Sequence, residues 1–475
     1  MRRFHDDPPA IRVIALIAWT CLAALPLRAF GSPPDHRWSE PDPIARSVPG
    51  AFGLPVLAVD SAGLPTAFVY ELADSASAPV LVRLTWRDDR WVRVSRLGPA
   101  SEIEPAIVLD RERGRGVVWI APDSTSGALG WLMHATLDAA ESITCIGPAI
   151  EQTSGLAAAA VGERRWIVRS EQEYPRGSDF RVRAATRTGT GTWRWFAAIG
   201  RNEYTCSIAA LGRDSALVVY AGESGLVAIV LSDSGWGREQ SLDPVPWKAS
   251  HPRLRAAADG SLWLMWSEKS QVHLDQFRAG VWTRVDSLVA RHGEGETFWA
   301  SWGAIAGGAS GAPVLVWGDR GHGATKDDVL SVAFGGGDPG AIAEELPGSR
   351  GGFIPSAVCD RDGNVWVGWW SVEQRRSLVS HSYPSHAVAG ARALTTRHGV
   401  EARWRFEPPQ AGLPWIVERS LGDGSFVEVA RGRSEGALEC SWLDESGPNT
   451  RTVRYRIRRP CVDRRVERVS EAFAP

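Results

Sequence analysis

An acidic residue recurs about every 50 residues along most of the chain, directly after a short apolar segment. The seven positions are Glu71, Asp123, Glu171, Glu223, Glu268, Asp319 and Glu373. Carboxylates that gather on one surface bind cations and accept hydrogen bonds from hydroxyl groups. If the segments surround a common axis, these side chains form an acidic rim suited to a cation or a hydroxyl-rich glycan. The plainer interpretation, which we favour, is that they are ordinary polar loop residues.

Three other residues have side chains that suit an anionic or hydroxylated ligand. Arg253 and Arg255 lie in one of the short apolar segments, and Tyr174 follows Glu173 in a polar stretch. A guanidinium group binds carboxylates through a planar pair of donors, and a phenol both donates and accepts. These residues are candidate ligand-binding groups. They do not form an ordered catalytic set, so we predict no catalytic residue.

The sequence gives no sign of a metal or a cofactor. It contains no Cys-x-x-Cys pair, and its ten histidines lack metal-ligand spacing. Residues 335–340 match a dinucleotide-binding glycine pattern and residues 432–436 match Gly-x-Ser-x-Gly, but neither has the strand-to-helix setting that these motifs require. We therefore predict that the protein binds neither metal nor cofactor.

The N-terminus has the features of an export signal. Arginines precede an apolar run over residues 13–27, and Ala29 and Gly31 supply small residues before Ser32. We predict a signal peptide over residues 1–31 and a secreted protein, periplasmic or extracellular. No later segment approaches about 18 consecutive apolar residues, so no membrane insertion is expected after cleavage. A net charge of −2 gives no general attraction to nucleic acid.

The elements that carry these residues form a repeat, which is the strongest signal in the sequence. Each unit begins with a strand of small residues, turns at Asp or Gly, and continues with a second strand. The first strands are predicted at 55–60, 105–110, 156–161, 207–212, 252–259, 302–307 and 355–360. The second strands end at Tyr70, Trp119, Arg169, Tyr220, Trp266, Trp317 and Trp369, so that Arg169 alone is not aromatic. Such units predict a β-propeller of seven four-stranded blades over residues 32–385.

The last unit lacks an outer strand, and the N-terminus supplies a candidate for it. Residues 37–45 resemble the outer strands of other units, with Trp38 in the place of their tryptophan. We predict that this segment pairs with a strand near residues 377–382 and closes the ring. The one helical pattern is a short patch at 341–346, and other outer strands are expected at 91–97, 193–199, 236–242 and 282–289.

After residue 386 the pattern changes to shorter strands that predict a C-terminal β-sandwich over residues 386–475. The fold class is therefore all-β throughout. Cys440 and Cys461 both lie in this region, and they are either a disulfide or two buried thiols.

Two motifs carry a family resemblance. Residues 186–193 keep the frame of an Asp-box turn, with Thr188 where the aspartate belongs, and residues 232–236 are a shortened version. On these grounds the propeller resembles the sialidase-like superfamily. The strands at 402–406, 415–419 and 453–458 are similar to strands B, C and F of a fibronectin type III domain.

The sialidase resemblance implies an arginine cluster, a tyrosine nucleophile with a glutamate partner, and an acid/base aspartate. Here the late tyrosine is Tyr383, at the domain junction, where no pocket is expected. We therefore predict a secreted, non-catalytic binding or scaffold protein that recognises a carbohydrate or a protein on its propeller face. The alternative is a divergent sialidase-like glycoside hydrolase.

Overall fold

The computed structural model describes residues 36–44, 54–60, 62–71, 79–87, 90–100, 106–110, 114–122, 130–136, 143–149, 152–172, 180–222, 225–243, 249–257, 259–268, 271–289, 299–307, 313–320, 328–334, 343–360, 364–384, 387–407, 411–421, 425–435, 439–445, 453–459 and 468–474. Within these ranges, every helix or strand element is a β-strand. The all-β class predicted from the sequence is confirmed.

Most of the strands form antiparallel sheets in which each strand pairs with the next along the chain. Two short strands, β1 (His36–Trp38) and β2 (Asp42–Pro43), precede the first of these units. The first and second units contain β3 (Val56–Val59), β4 (Pro65–Glu71), β5 (Val80–Arg87) and β6 (Arg90–Pro99), then β7 (Ala106–Asp110), β8 (Gly114–Pro122), β9 (Gly130–Thr136) and β10 (Ile143–Ala149).

The third and fourth units are joined into one sheet. They contain β11 (Gln152–Val161), β12 (Arg164–Gln172), β13 (Phe180–Thr188) and β14 (Arg194–Trp195), then β15 (Ile199–Ala210), β16 (Ser215–Gly222), β17 (Gly225–Ser232), β18 (Gly235–Trp236) and β19 (Gln240–Asp243). The outer strand expected at 193–199 is reduced to the two residues of β14. The long strand β15 takes its place beside β13, with Ile199 opposite Val182.

The remaining units complete the series. They contain β20 (Ala249–Ala256), β21 (Leu262–Glu268), β22 (Gln271–Arg278) and β23 (Val281–Val289), then β24 (Trp299–Gly307), β25 (Pro313–Arg320), β26 (Val329–Phe334) and β27 (Glu344–Glu345), and finally β28 (Gly352–Cys359), β29 (Val365–Ser371) and β30 (Arg376–Pro384). The helical patch predicted at 341–346 is wrong where the structure describes it. Glu344 and Glu345 pair with β26 instead, and Leu346 is fully buried.

The first strands of the units form a closed ring. Each of β3, β7, β11, β15, β20, β24 and β28 contacts the next, and β28 contacts β3. This arrangement, with sheets radiating from a common axis, defines a β-propeller. The first strands crowd around the axis, which explains why they are rich in alanine and glycine.

The N-terminal strand closes this ring as predicted. β1 pairs with β30, with His36 opposite Pro384 and Trp38 opposite Ser382. β2 pairs farther along the same strand, and the Ser39 amide donates to the His381 carbonyl at 2.9 Å. Trp38 packs against the apolar core of the last two units. The pairing joins segments more than 300 residues apart, and it removes an exposed sheet edge.

The position predicted to end each second strand is buried in every unit, one to three residues before the strand ends in the structure. The six aromatic side chains there are at most 3% exposed, and Arg169 is 2% exposed. The Trp119 indole donates to the Pro99 carbonyl of the preceding unit at 3.0 Å, and the Arg169 guanidinium donates to the Pro148 carbonyl at 3.1 Å. Arg169 therefore makes the same kind of bond between units as the tryptophan that it replaces.

The C-terminal region contains two further sheets. One contains β31 (Ala387–Thr396), β32 (Gly399–Glu407) and β35 (Cys440–Asp444). The other contains β33 (Ala411–Leu421), β34 (Val427–Glu435), β36 (Val453–Arg459) and β37 (Arg468–Ala474). Buried residues of both sheets, including Trp404 and Tyr455, form one apolar cluster. The fibronectin type III assignment stays a prediction, and the signal peptide and Cys461 fall outside the described residues.

Candidate functional site

The inner strands of the propeller surround a central cavity of about 640 Å³. Its wall consists mainly of alanine, glycine and short aliphatic side chains, because neighbouring units leave little room near the axis. Small-molecule pockets in proteins commonly measure about 300–1,000 Å³, so a small ligand fits this space. The cavity is the leading candidate for a binding site in the part of the chain that the structure describes.

Arg253 and Arg255 are charged residues in the wall of the cavity. They are two positions apart on β20, so both side chains project from the same face of the strand. The Arg253 Nε donates to the Gly303 carbonyl on β24 at 3.0 Å, which ties the fifth unit to the sixth. Among the described residues that line the cavity, these two arginines carry the charge. The site therefore favours an anionic group, because a guanidinium donates to both oxygens of a carboxylate.

Serine hydroxyl groups fix other parts of the wall. The Leu254 amide donates to Ser207 Oγ at 2.9 Å, and the Leu57 amide donates to Ser356 Oγ at 2.9 Å. Both bonds join neighbouring inner strands, where a backbone amide would otherwise lack a partner. The cavity is thus bounded by strands that are hydrogen-bonded to each other.

One end of the cavity is marked by repeated β-bulges. In five units, the pairing between the first and second strands shifts register. Each shift ends at, or next to, the point where the first strand begins to line the cavity. Three of the bulges contain a left-handed residue: Gly155 at φ 59°, His251 at φ 52° and Ile354 at φ 47°. A β-branched residue such as Ile354 adopts this conformation at a cost of about 1–3 kcal/mol. Bulges redirect backbone and side chains, and they are frequent beside binding sites.

The acidic positions predicted to form a rim do not converge on the cavity where the structure describes them. Glu71 forms an ion pair with Arg93, and Glu268 lies 3.9 Å from His273 Nε2. Glu373 is exposed in a turn. None of these lines the cavity. The side chains of Asp123, Tyr174, Glu223 and Asp319 are not among those described, so their part in binding stays a prediction.

Glu171 has a structural partner that sequence reasoning missed. Its carboxylate accepts from Arg169 Nε at 2.8 Å and from Arg183 at 3.1 Å, and it is 5% exposed. Burial lowers the pKa of Arg169, and the Glu171 carboxylate opposes that change. Trp195 covers the pair, with its ring 4.7 Å from the Arg169 guanidinium carbon. Since residues 169 and 171 share one strand face, their opposite charges were the available signal.

A tyrosine–glutamate pair of the kind that sialidase chemistry needs occurs at an unpredicted position. The Tyr220 hydroxyl donates to Glu239 Oε1 at 2.7 Å. However, Tyr220 is 2% exposed and does not line the cavity. Burial, and after it the Glu239 carboxylate, raise the pKa of the Tyr220 phenol. A nucleophile requires the opposite change, so this pair lacks the properties of a catalytic one.

Within the described ranges, no three His, Cys, Asp or Glu side chains are grouped so that they could hold a metal ion. In the same ranges, no helix has the length and apolar character of a membrane span.

No protein-family model and no curated protein matches the sequence. Among solved structures, an α-L-arabinanase of Penicillium chrysogenum complexed with arabinobiose is similar at 10% identity, over 73% of this chain and 98% of that chain, with a TM-score of 0.47. The sialidase of Trypanosoma rangeli has 11% identity, over 93% and 88%, with a TM-score of 0.39. The six-bladed lectin of Aleuria aurantia has 11% identity, over 71% and 96%, with a TM-score of 0.36. The strand pairing described above, and not these distant similarities, defines the fold.

Proposed function

We propose that this protein is an exported, non-catalytic binding protein that takes an acidic carbohydrate into the central cavity of its propeller. The observation that carries the proposal is the pair Arg253 and Arg255 in a wall whose other described residues are uncharged. A carboxylate of the ligand bridges the guanidinium groups, and sugar hydroxyl groups bond to backbone at the bulges.

The same cavity supports a binding role over a hydrolytic one. Glycoside hydrolysis requires two carboxyl groups, or a tyrosine in place of one, on either side of the scissile bond. The described lining contains no acid and no tyrosine. Export, which is predicted from the N-terminal sequence, would place the protein where polysaccharides occur.

The test is calorimetric titration of the mature protein, residues 32–475, with oligogalacturonates and with neutral oligosaccharides of the same length. We expect binding of the acidic series alone, and loss of at least about tenfold in affinity in Arg255→Gln, since a charged hydrogen bond contributes about 1.5–3 kcal/mol. Arg278→Gln, on the exposed end of β22, is the matched control and should bind like the unmodified protein.

Two results would count against the proposal. Equal binding of acidic and neutral sugars would show that the arginines do not select the ligand. Turnover of a fluorogenic sialoside that is lost in Arg253→Ala would favour the divergent hydrolase instead. Because Arg253 also holds Gly303, thermal unfolding of each variant must show that it remains folded.

A further inference from the structure

The C-terminal sheet presents a row of arginines on the face opposite its core. Along β36, Val453, Tyr455 and Ile457 are at most 1% exposed. The residues that alternate with them are Arg454, Arg456 and Arg458. Alternate residues of a strand are about 7 Å apart, so the three guanidinium groups form a line along the sheet.

Neighbouring strands widen this row into a basic face. On β33, Ile416 lies between Arg458 and Arg431 of β34, and Pro414 lies opposite Arg433. Residues directly opposite each other project from the same side of a sheet. We call the set Arg431, Arg433, Arg454, Arg456 and Arg458 the arginine face.

The arginine face retains positive charge after its acidic neighbours are counted. Glu418 and Glu428 occupy register positions on the same side. Among the described side chains of this face, the five arginines outnumber these two glutamates, whereas the whole chain carries a net charge of −2.

Contacts within the face hold the guanidinium groups in place. Glu418 is 7% exposed, and it accepts from Arg456 Nε at 2.6 Å and lies 2.9 Å from Arg458 Nε. The Phe426 ring lies 4.4 Å from the guanidinium carbon of Arg456 and 5.3 Å from that of Arg454. Cations that are already held in place lose little entropy when they bind a ligand.

We propose that the arginine face binds an acidic polysaccharide, separately from the cavity of the propeller. The line of cations matches charges spaced along a polymer, and Phe426 offers apolar contact to the C–H faces of sugar rings. Arginines about 7 Å apart along the strand suit the sparse carboxylates of a polyuronate better than the dense phosphates of DNA, at one charge per about 1.7 Å.

The test measures retention of the mature protein, residues 32–475, on immobilised polygalacturonate, and its Kd by biolayer interferometry at low salt. The first variant combines Arg431→Gln with Arg433→Gln, because both side chains are exposed. The second combines Arg454→Gln with Arg456→Gln. The matched control, Arg392→Gln with Arg405→Gln, removes two exposed arginines from the other sheet of the same region.

We expect retention to fall as the salt concentration rises. Each face variant should bind about tenfold more weakly, because it loses two exposed charge contacts with the polymer. The control should stay within about twofold of the unmodified protein, since it removes the same charge elsewhere. In the Arg255→Gln background, which weakens the cavity, the polymer should still be retained and each face variant should still bind about tenfold more weakly. That result would separate this proposal from the one for the cavity.

Three outcomes would overturn the proposal. They are no retention of the unmodified protein at low salt, an equal loss in the control variant, and binding to anionic lipid vesicles or DNA without binding to polygalacturonate. The first would mean that the arginines serve to stiffen the sheet. The last would mean that the partner belongs to another class of polyanion.

Discussion

His134 makes the stability of the second unit sensitive to acid. The side chain is fully buried, both ring nitrogens lack hydrogen-bond partners, and a Cβ at Gly116 would lie 2.8 Å from Nε2. Burial is the main cause that lowers the pKa of His134 from 6.5 to about 4, and the charges of Arg165 and Arg187 add to the effect. The native state therefore holds this imidazole neutral across the range in which an unfolded chain protonates it.

The direction of the pH effect follows from these two values. Between pH 6.5 and about 4 the unfolded chain binds the proton and the folded protein does not, so acidification favours unfolding. The full difference between the two pKa values corresponds to roughly 3 kcal/mol of unfolding free energy. About 2.5 kcal/mol of this stability is lost by pH 4.5. Above about pH 8 His134 contributes almost nothing to the slope, because the imidazole is neutral in both states.

The variant His134→Leu has nearly the same volume and no ionisable group. At pH 7.5 we expect it to be at least as stable as the unmodified protein, because two unpaired buried nitrogens disappear. Urea unfolding at pH 7.5 and 4.5 should show an acid-induced loss smaller by about 2.5 kcal/mol than in the unmodified protein. His398→Leu, in an exposed turn, is the control and should leave that loss unchanged. An identical acid-induced loss in His134→Leu would refute the reasoning.

Three further changes test the fold. Removing residues 32–47 should lower the free energy of unfolding by about 5 kcal/mol or more, because the strand pairs and the buried apolar groups of the closing segment are lost. A melting temperature equal to that of the unmodified protein would contradict this. Arg169→Met removes one of the two arginines that pair with the buried Glu171 and should lower the free energy of unfolding by about 3 kcal/mol, whereas adding Glu171→Gln should recover part of that loss. Ala279→Asn should raise stability by about 1 kcal/mol, since Ala279 and Gly280 both have positive φ and Asn-Gly favours such a turn; an unchanged urea midpoint would argue against this.

The strand framework could be predicted because it depends on local patterns. Turn residues such as Asp259 and Gly260 separate short apolar runs, and the aromatic that ends each second strand fills the space between sheets wherever it occurs. The closing strand was recognisable for the same reason, since Trp38 repeats the pattern of the other outer strands.

What the sequence did not disclose depends on contacts between units. The helical spacing near Leu346 was overridden by pairing of Glu344 and Glu345 with β26. Arg253 and Arg255 were identified as candidates, but the cavity that they line exists only once the inner strands surround it. The hydrogen bond from Tyr220 to Glu239 joins a strand residue to a loop residue, and no local sequence pattern predicts this contact.

The closure of the ring by β1 has a consequence for how copies of the protein meet. The seam between β1 and β30 is held by backbone bonds and packing, and strands β3 to β29 lie between its two strands in the sequence. The first strand of one molecule can therefore occupy the last unit of another without any change in the contacts made. Such exchange gives dimers that return slowly to monomers on dilution, since separation requires both seams to open. Refolding at high concentration favours these dimers, in which the closing strand of each propeller belongs to the partner.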